Sequence, residues 1–291
     1  MKFVAAIDVG GTTMKGGLVT RDGELLHAES RPTPRAEGPD RVVAAVSAFA
    51  DDLTDTAAGR PEALGLAVPG LVTPTHAVYS AAFGWRDVPA EAFTRVDVPV
   101  ALGHDVRSAG EAELAHGAAG RSGEVLFLPI GTGIAGAVVL SGALYGGSAG
   151  WAGQIGHIPV RPDGLPCPCG GRGCLSAYAS ASAIAARCGE RSAADVVTRV
   201  AAGDAGAAAV WDEAVDALAL ALATYTLLLD PAKVVIGGGL SLAGEALLGP
   251  LRPRLAARLA WRPPPALAVS ALGTRAGLLG AALLAWRALG A

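Results

Sequence analysis

The sequence predicts an α/β fold that contains an internal duplication. A strand, a turn rich in glycine and threonine, and a second strand occur in order at residues 3–19. The same order returns at residues 124–140, about half a chain later. Segments with helical periodicity alternate with the strands along the chain, which is typical of the α/β class. We therefore expect two similar domains, each with one glycine-rich turn.

The first glycine turn lies between strands at residues 3–7 and 17–19, and a third strand follows a turn at 21–24. This order predicts an antiparallel meander, whereas a P-loop or a dinucleotide fingerprint would need a helix after the glycines. The N–H groups of such a turn can face a phosphate, and a carboxylate can hold Mg²⁺ through water. An ordinary β-hairpin is the alternative. The candidate ligands are Asp8, Gly10, Gly11, Thr12, Thr13 and Lys15.

Two further glycine turns follow apolar strands. Strands at residues 124–130 and 134–140 enclose the second turn, and a strand at 234–236 leads into the third. A strand that ends in three glycines suits the close approach of a flat ligand such as an adenine ring, and a plain strand-to-helix turn fits equally well. The candidates are Gly131, Thr132 and Gly133 in the second turn, and Gly237, Gly238 and Gly239 in the third.

The segments between these turns place one carboxylate at the end of a strand. An amphipathic helix is predicted at residues 41–53, and strands are predicted at 61–68 and 98–102. Asp105 follows the last of these strands, and helical spacing begins near Ser108. From its position alone, Asp105 suits the cap of that helix. Further helices are predicted at residues 182–229 and 276–291.

A cluster of cysteines indicates a structural zinc site. Three of the four cysteines lie within eight residues, and a histidine precedes them by ten positions. Thiolates and a neutral imidazole are the ligands of a closed tetrahedral zinc site. Disulfides or merely buried cysteines are the alternative, but Cys167 and Cys169 are too close together to bridge comfortably. The predicted zinc ligands are His157, Cys167, Cys169 and Cys174, and Cys188 is assigned to the core.

Composition argues against several classes of protein. The 291 residues carry a formal net charge of -3 and no dense basic run, which argues against a nucleic-acid binder. The N-terminus does not read as a signal peptide. The apolar segments at 214–229 and 276–291 are short and contain charged residues, so we expect no membrane span. These observations predict a cytoplasmic protein.

The motifs together resemble those of the ROK family (repressor, open reading frame, kinase) in the actin-like sugar kinase superfamily. The resemblance rests on residues 8–15 (DVGGTTMK), 130–136 (IGTGIAG), 235–239 (VIGGG), and Gly156-His157 with 167–175 (CPCGGRGCL). It implies two actin-like (ribonuclease H-like) domains with a central cleft. Their expected bounds are 1–106, completed by the helix at 276–291, and 107–275, which includes a zinc loop at 154–176. It also implies ATP, Mg²⁺, structural Zn²⁺, a sugar substrate and a homodimer or homotetramer.

By the same resemblance, Asp105 is the general base that accepts the proton of a sugar hydroxyl, most simply the 6-OH, as it attacks the γ-phosphate of ATP. Four positions depart from the family pattern, since the family usually has Asn at 82 and 104 and Glu at 154 and 176. This chain has Ala82, His104, Gln154 and Ser176. We therefore expect a modified hexose such as an amino sugar (kanosamine or an N-acylhexosamine). The implied sugar contacts are Gly70, His104, Asp105, Gln154, His157 and Ser176.

Three other functions fit parts of the sequence. An ordinary glucokinase would keep the ATP motifs, and a non-catalytic sugar sensor would tolerate the altered sugar contacts. A ROK transcriptional repressor would need a DNA-binding domain before the first motif, and we expect none because that motif begins at Asp8. His157 is expected to bind zinc through one ring nitrogen and to face the sugar with the other. Chelation of zinc should then weaken sugar binding before it affects ATP binding.

Overall fold

The computed structural model describes residues 2–55, 59–95, 97–120 and 122–290, and the chain divides into two compact units. The first unit consists of Met1–His116 and Arg275–Ala291, and the second of Gly117–Thr274. Residue 291, the last of the predicted C-terminal helix, lies outside the described residues.

The first unit begins with the expected meander and continues with a helix, a parallel strand and a small separate sheet. In chain order its elements are β1 (Phe3–Val9), β2 (Thr13–Thr20), β3 (Leu25–Pro32), α1 (Pro39–Asp55), β4 (Leu64–Val68), β5 (Leu71–Val72), β6 (His76–Ser80), β7 (Trp85–Pro89), β8 (Val100–His104) and α2 (Asp105–His116).

The second unit repeats the meander and then inserts a group of helices before its parallel strands. Its elements are β9 (Val125–Pro129), β10 (Ala137–Leu140), β11 (Ala143–Tyr145), α3 (Leu175–Ala179), α4 (Ala181–Arg187), α5 (Ala193–Ala201), α6 (Ala205–Leu229), β12 (Lys233–Gly237), α7 (Glu245–Arg258) and β13 (Ala266–Val269). The last helix, α8 (Ala276–Ala288), belongs to the first unit.

The two large sheets have the same topology. The strand order is β3-β2-β1-β4-β8 in the first unit and β11-β10-β9-β12-β13 in the second. In each sheet the first strand of the meander pairs antiparallel with the second strand and parallel with the strand that enters after the helical segment. A further parallel strand completes the edge in both units. The predicted internal duplication is confirmed.

Helices cover the first sheet. Val42, Val46, Phe49 and Leu53 recur at helical spacing in α1, are fully buried, and face the strands of the meander. α8 packs on β1, β4 and β8, and also against α2. A Cβ at Gly65 of β4 would overlap the carbonyl oxygen of Ala281, so a glycine is required for α8 to approach this closely. Because α2 packs along α8, the first unit extends to His116, ten residues past the boundary expected at 106.

The helical segment predicted at residues 182–229 consists of three separate helices. The chain turns at Gly189 and Gly203, which have φ values of +68° and +86°. Each following helix has a side-chain cap: Ser192 Oγ accepts the N–H of Asp195 (3.2 Å) and Asp204 Oδ1 accepts that of Ala207 (2.9 Å). Among the described helices, none is both long enough and apolar enough to cross a lipid bilayer.

Candidate active site

The first glycine turn is held closed from behind and is open in front. Gly10 N–H donates to Thr13 O (3.1 Å), and a Cβ at residue 10 would lie 2.7 Å from that oxygen, so glycine is required there. Thr33 braces the turn from the end of β3: its hydroxyl donates to Gly10 O (2.7 Å) and its N–H donates to Thr12 O (3.0 Å). Apart from its chain neighbours, no atom of the described residues lies within 4 Å of the position that a Cβ on Gly11 would take. The turn therefore has one braced face and one face with room for a ligand.

Asp8 precedes this turn in β1 and is partly buried. Its neighbour in the antiparallel register is Lys15 of β2. A Cβ on Gly277, in the first turn of α8, would overlap the Asp8 carboxylate, so the absence of a side chain there makes room for it. Burial raises the pKa of Asp8 to about 7, the charge of Asp105 adds to the rise and Lys15 opposes it. Asp8 and Asp105 are therefore close enough for their charges to interact.

Asp105 begins α2 directly after β8, at the carboxyl end of the parallel strands. The backbone N–H of Val106 donates to Asp105 Oδ1 (2.7 Å). His104 Nδ1 lies 3.3 Å from the same oxygen and accepts the N–H of Arg107 at 3.4 Å. Burial lowers the pKa of His104, and Arg107 lowers it further while Asp105 opposes both effects. The carboxylate thus has an imidazole and a guanidinium as neighbours.

Gly70 follows β4 and lies against the small sheet. It has a φ of +115°, and a Cβ there would overlap the carbonyl oxygen of Tyr79 in β6. The next residue of β6, Ser80, is buried and its hydroxyl has no hydrogen-bond partner among the described residues. Phe83 and Trp85 follow, with ring centroids 4.6 Å apart. Both rings are buried, so an aromatic pair follows Ala82 in the core of the first unit.

The second glycine turn, Gly131 to Gly133, is anchored to the start of α4. Gly131 N–H donates to Gly133 O (3.0 Å) within the turn. From outside the turn, Ala181 N–H donates to Gly131 O (2.9 Å) and the Ser182 hydroxyl donates to Thr132 O (2.6 Å). In the part of the chain that the structure describes, a Cβ on either glycine would meet no atom within 4 Å other than those of its chain neighbours. As in the first turn, one side is bonded and the other is open.

The third glycine turn connects β12 to a short 3-10 helix at Gly239–Ala243. A Cβ at Gly238 would lie 2.5 Å from Ile130 O, which also accepts the N–H of Leu240 (3.1 Å). An apolar pocket of about 130 Å³ lies beside the short helix and the first turns of α5. Its lining residues are Ala193, Ala194, Val197, Gly239, Leu240, Leu242 and Ala243. Both interpretations of the motif therefore fit, since a strand-to-helix turn here borders a pocket suited to a flat ring.

The four predicted zinc ligands converge. Their ligand atoms all lie within 4.8 Å of one another. Cys167 Sγ is 3.8 Å from His157 Nδ1, and Cys169 Sγ is 3.7 Å from Cys174 Sγ. Ligands at the corners of a zinc tetrahedron are separated by about 3.8 Å, so the donor set and its spacing fit Zn²⁺.

The loop that carries these ligands folds through its own backbone. Cys167 N–H donates to Gly171 O (2.9 Å), and Gly173 N–H donates to Leu165 O (2.7 Å). Gly173 has a φ of +69°, and a Cβ there would overlap Arg161 O. Arg161 also pairs with Asp216 of α6 (2.9 Å), which fixes the loop to the helices of the second unit.

The predicted sugar contacts of the second unit lie beside this cluster. Gln154 is half-buried and precedes the 3-10 turn Ile155–His157. A Cβ on Gly156 would lie 2.5 Å from Ser176 Oγ, so the Gly-His pair packs directly on α3. His157 faces Cys167 through Nδ1, which leaves Nε2 for another partner.

Within each unit, the structure groups the predicted residues. The first unit brings Asp8 and Asp105 together, and the second joins the zinc cluster, the sugar contacts and a glycine turn. Sequence reasoning missed Thr33, Arg107, Ser182 and Gly277. Arg107 carried a signal, since it is a charged residue two positions after Asp105. The other three residues contact partners that are distant in sequence, so no signal for them was present in the sequence.

Comparisons with known proteins support the resemblance. The ROK family model matches residues 4–288. The chain is 32% identical to a glucokinase of Halalkalibacterium halodurans, with 96% of this chain and 93% of the relative covered. It is 33% identical to an N-acetylmannosamine kinase of Escherichia coli, with 96% and 97% covered.

Solved structures agree with this assignment. A ROK glucokinase from Streptomyces griseus in complex with glucose and AMPPNP matches with a TM-score of 0.87 at 28% identity, covering 98% of this chain and 99% of that one. A ROK hexokinase from Thermus thermophilus matches with a TM-score of 0.83 at 33% identity, covering 99% of both chains. The expected α/β class with actin-like domains is confirmed, and the chain belongs to the ROK family.

Proposed function

We propose that this protein is an ATP-dependent sugar kinase that transfers the γ-phosphate of ATP to a hydroxyl, the 6-OH, of a hexose or modified hexose. The observation that carries the proposal is the position of Asp105. This partly exposed carboxylate lies at the carboxyl edge of the sheet in which Asp8 precedes the first glycine turn. Ligands of α/β proteins commonly bind at the carboxyl ends of parallel strands.

Asp105 acts as the general base. Its carboxylate accepts the proton of the sugar hydroxyl while that oxygen attacks the γ-phosphorus. The N–H of Val106 fixes one carboxylate oxygen, so the group is oriented before substrate binds. His104 lies beside the carboxylate and can hydrogen-bond a neighbouring sugar hydroxyl, and the charge of Arg107 offsets that of the base.

The glycine turns bind the phosphates. Each unit supplies one such turn, and in the first unit Lys15 is a cation beside Asp8. The donor chemistry at Asp8 fits Mg²⁺ held through water, and when bound this ion would neutralise phosphate charge. The apolar pocket beside Gly239 takes the adenine ring. Binding and charge neutralisation of this kind account for most of the catalysis in phosphoryl transfer.

The sugar pocket differs from that of a glucose-specific enzyme. Carboxylates only accept hydrogen bonds and suit adjacent hydroxyl donors, whereas Gln154 can also donate and Ser176 leaves space. Ala82 also leaves more space than the Asn that the family usually has there. We infer that a modified hexose is the substrate, such as kanosamine or an N-acylhexosamine. Ordinary glucokinase activity is the second candidate, favoured by the relatives of that name.

Zinc has an indirect role in this proposal. It would hold the loop that carries Gln154 and His157, and it would fix the His157 ring so that Nε2 faces the sugar. We further propose a homodimer or homotetramer, which sedimentation equilibrium would test. We also propose that the enzyme is cytoplasmic.

Asp105→Asn distinguishes the kinase from a non-catalytic sugar sensor. A panel of hexoses, 2- and 3-amino hexoses and N-acyl hexosamines is assayed with ATP, and products are identified by mass spectrometry. The kinase proposal expects turnover of at least one sugar by the wild-type protein and a loss of at least about 100-fold in kcat in the variant, with sugar binding retained. Sugar binding without turnover in both proteins would instead indicate the sensor.

A further inference from the structure

One short segment connects the zinc cluster to the second glycine turn. It begins at Cys174, a zinc ligand, continues through α3 and ends at Ser182, whose hydroxyl donates to Thr132 O (2.6 Å). We call residues 174–182 the connecting segment. It lies wholly within the second unit.

The connecting segment has little freedom to move. Leu175 and Ala179 are fully buried, and α3 packs on the long helix α6. Leu175 N–H donates to Ile158 O (2.9 Å), next to His157. The Tyr178 hydroxyl accepts the N–H of Leu165 (2.8 Å), which ties α3 to the zinc loop. Displacement of Cys174 would therefore move the rest of the segment rather than be absorbed by it.

The bonds at the far end of the segment determine how the glycine turn presents its N–H groups. Ala181 N–H holds the carbonyl of Gly131, and Ser182 holds the carbonyl of Thr132. In a trans peptide, a carbonyl and the following N–H point in opposite directions. The N–H groups of Thr132 and Gly133 are therefore turned away from α4, toward the open side of the turn. Such N–H groups are the phosphate ligands of a glycine-rich turn.

We propose that Ser182 is a positioning residue for the second phosphate turn, and that the connecting segment makes nucleotide affinity depend on the zinc cluster. This inference rests on the proposed function, because it takes the turn to bind a nucleotide phosphate. It also changes one expectation from the sequence, since loss of zinc now weakens nucleotide binding together with sugar binding.

Ser182→Ala, Ser182→Thr and the wild-type protein are compared by titration with AMPPNP in a calorimeter, with zinc present and after removal by a chelator. The Ser182→Ala variant should bind AMPPNP about tenfold more weakly, and Ser182→Thr, which keeps the hydroxyl, should restore most of the affinity. Zinc removal should weaken binding by the wild-type protein several-fold, and by Ser182→Ala much less. In steady state, KM for ATP should rise more than kcat falls.

Thr224→Ala is the matched control, because it removes a hydroxyl-to-carbonyl bond within α6 (3.0 Å to Leu220 O), away from the turn. It should leave AMPPNP affinity and its zinc dependence unchanged. Circular dichroism checks that the zinc-free proteins remain folded. If they do not, the comparison of the Ala and Thr variants with zinc present still tests the role of Ser182.

The outcomes separate the inference from the proposed function. If the wild-type protein binds AMPPNP and Ser182→Ala binds it equally well, Ser182 is not a positioning residue. If zinc removal leaves the AMPPNP affinity of the folded wild-type protein unchanged, the coupling through the segment is overturned. Absence of AMPPNP binding by the wild-type protein would overturn the proposed function and this inference with it.

Discussion

The Asp8 carboxylate occupies the space in which a side chain at residue 277 would begin. A Cβ built on Gly277 would overlap both the carboxyl carbon and its oxygens. Gly277 is the second residue of α8, so the carboxylate lies against the first turn of a helix, where the helix dipole favours negative charge. The last helix of the chain thus completes the surroundings of a residue in the first strand.

Gly277→Ala should therefore impair catalysis. The added methyl group must displace the Asp8 carboxylate or shift α8, and small displacements of phosphate- or metal-binding groups reduce rates strongly. We expect kcat/KM for MgATP to fall by about 10- to 100-fold. Steady-state kinetics with varied MgATP measure the change.

Gly206→Ala is the control for this variant, because Gly206 holds the same position, the second residue, in α6. A Cβ there would lie 3.3 Å from the side chain of Asp204, which can adjust. Its kinetic constants should match those of the wild-type protein. Equal activity of both variants would show that Asp8 has no need of the space at 277.

The raised pKa of Asp8 predicts a pH dependence of stability in the ligand-free protein. The folded state holds the Asp8 proton up to about pH 7, whereas the unfolded chain releases it near 3.8. The resulting stabilisation is complete below pH 3.8 and is lost as pH rises to about 7, amounting to about 4 kcal/mol at most. The melting temperature of Asp8→Asn minus that of the wild-type protein should rise between pH 4 and 7 and then level off. Parallel melting curves for the two proteins across this range would refute the shift.

The local motifs of the site could be read from the sequence because their partners are neighbours along the chain. The zinc ligands lie within one loop, and each glycine turn is flanked by its own strands. The repeated strand-turn-strand order also predicted the duplication, since the same pattern of residues forms the same sheet. Asp105 was proposed as the base through the family resemblance.

Other features depend on contacts between distant residues and could not be read. Thr33 braces Gly10 from the end of β3, and Gly277 accommodates Asp8 only because α8 returns to the first sheet. The extent of the first unit depends on such a contact as well. Asp105, the proposed base, is the first residue of α2, and only the packing of α2 on α8 assigns that helix to the first unit.

Cys169→Ser should release zinc and destabilise the second unit. Cys169 is exposed and its sulfur lies 3.7 Å from Cys174 Sγ, so the substitution removes one of four ligands from a site that otherwise remains intact. Because binding energy at a structural zinc site contributes to folding, we expect a loss of metal and a melting temperature lower by at least about 5 °C. Inductively coupled plasma mass spectrometry and calorimetry measure the two effects.

Cys188→Ser is the control for the zinc experiment, since Cys188 lies at the end of α4 and outside the cluster. This variant should retain a full complement of zinc. Equal zinc content in both variants, or no zinc in the wild-type protein, would contradict the assignment of the cluster.

Glutamates at positions 154 and 176 should shift the enzyme toward glucose. In the double variant Gln154→Glu/Ser176→Glu, two carboxylates can accept hydrogen bonds from adjacent sugar hydroxyls, and each charge-assisted bond is worth about 1.5–3 kcal/mol. We expect the ratio of kcat/KM for glucose to that for the preferred sugar to rise by at least about tenfold. Gln154→Ala/Ser176→Ala is the control, and it should lose activity without favouring glucose. A wild-type enzyme that already prefers glucose would show that these positions do not set the choice of sugar, because the missing carboxylates would then be dispensable.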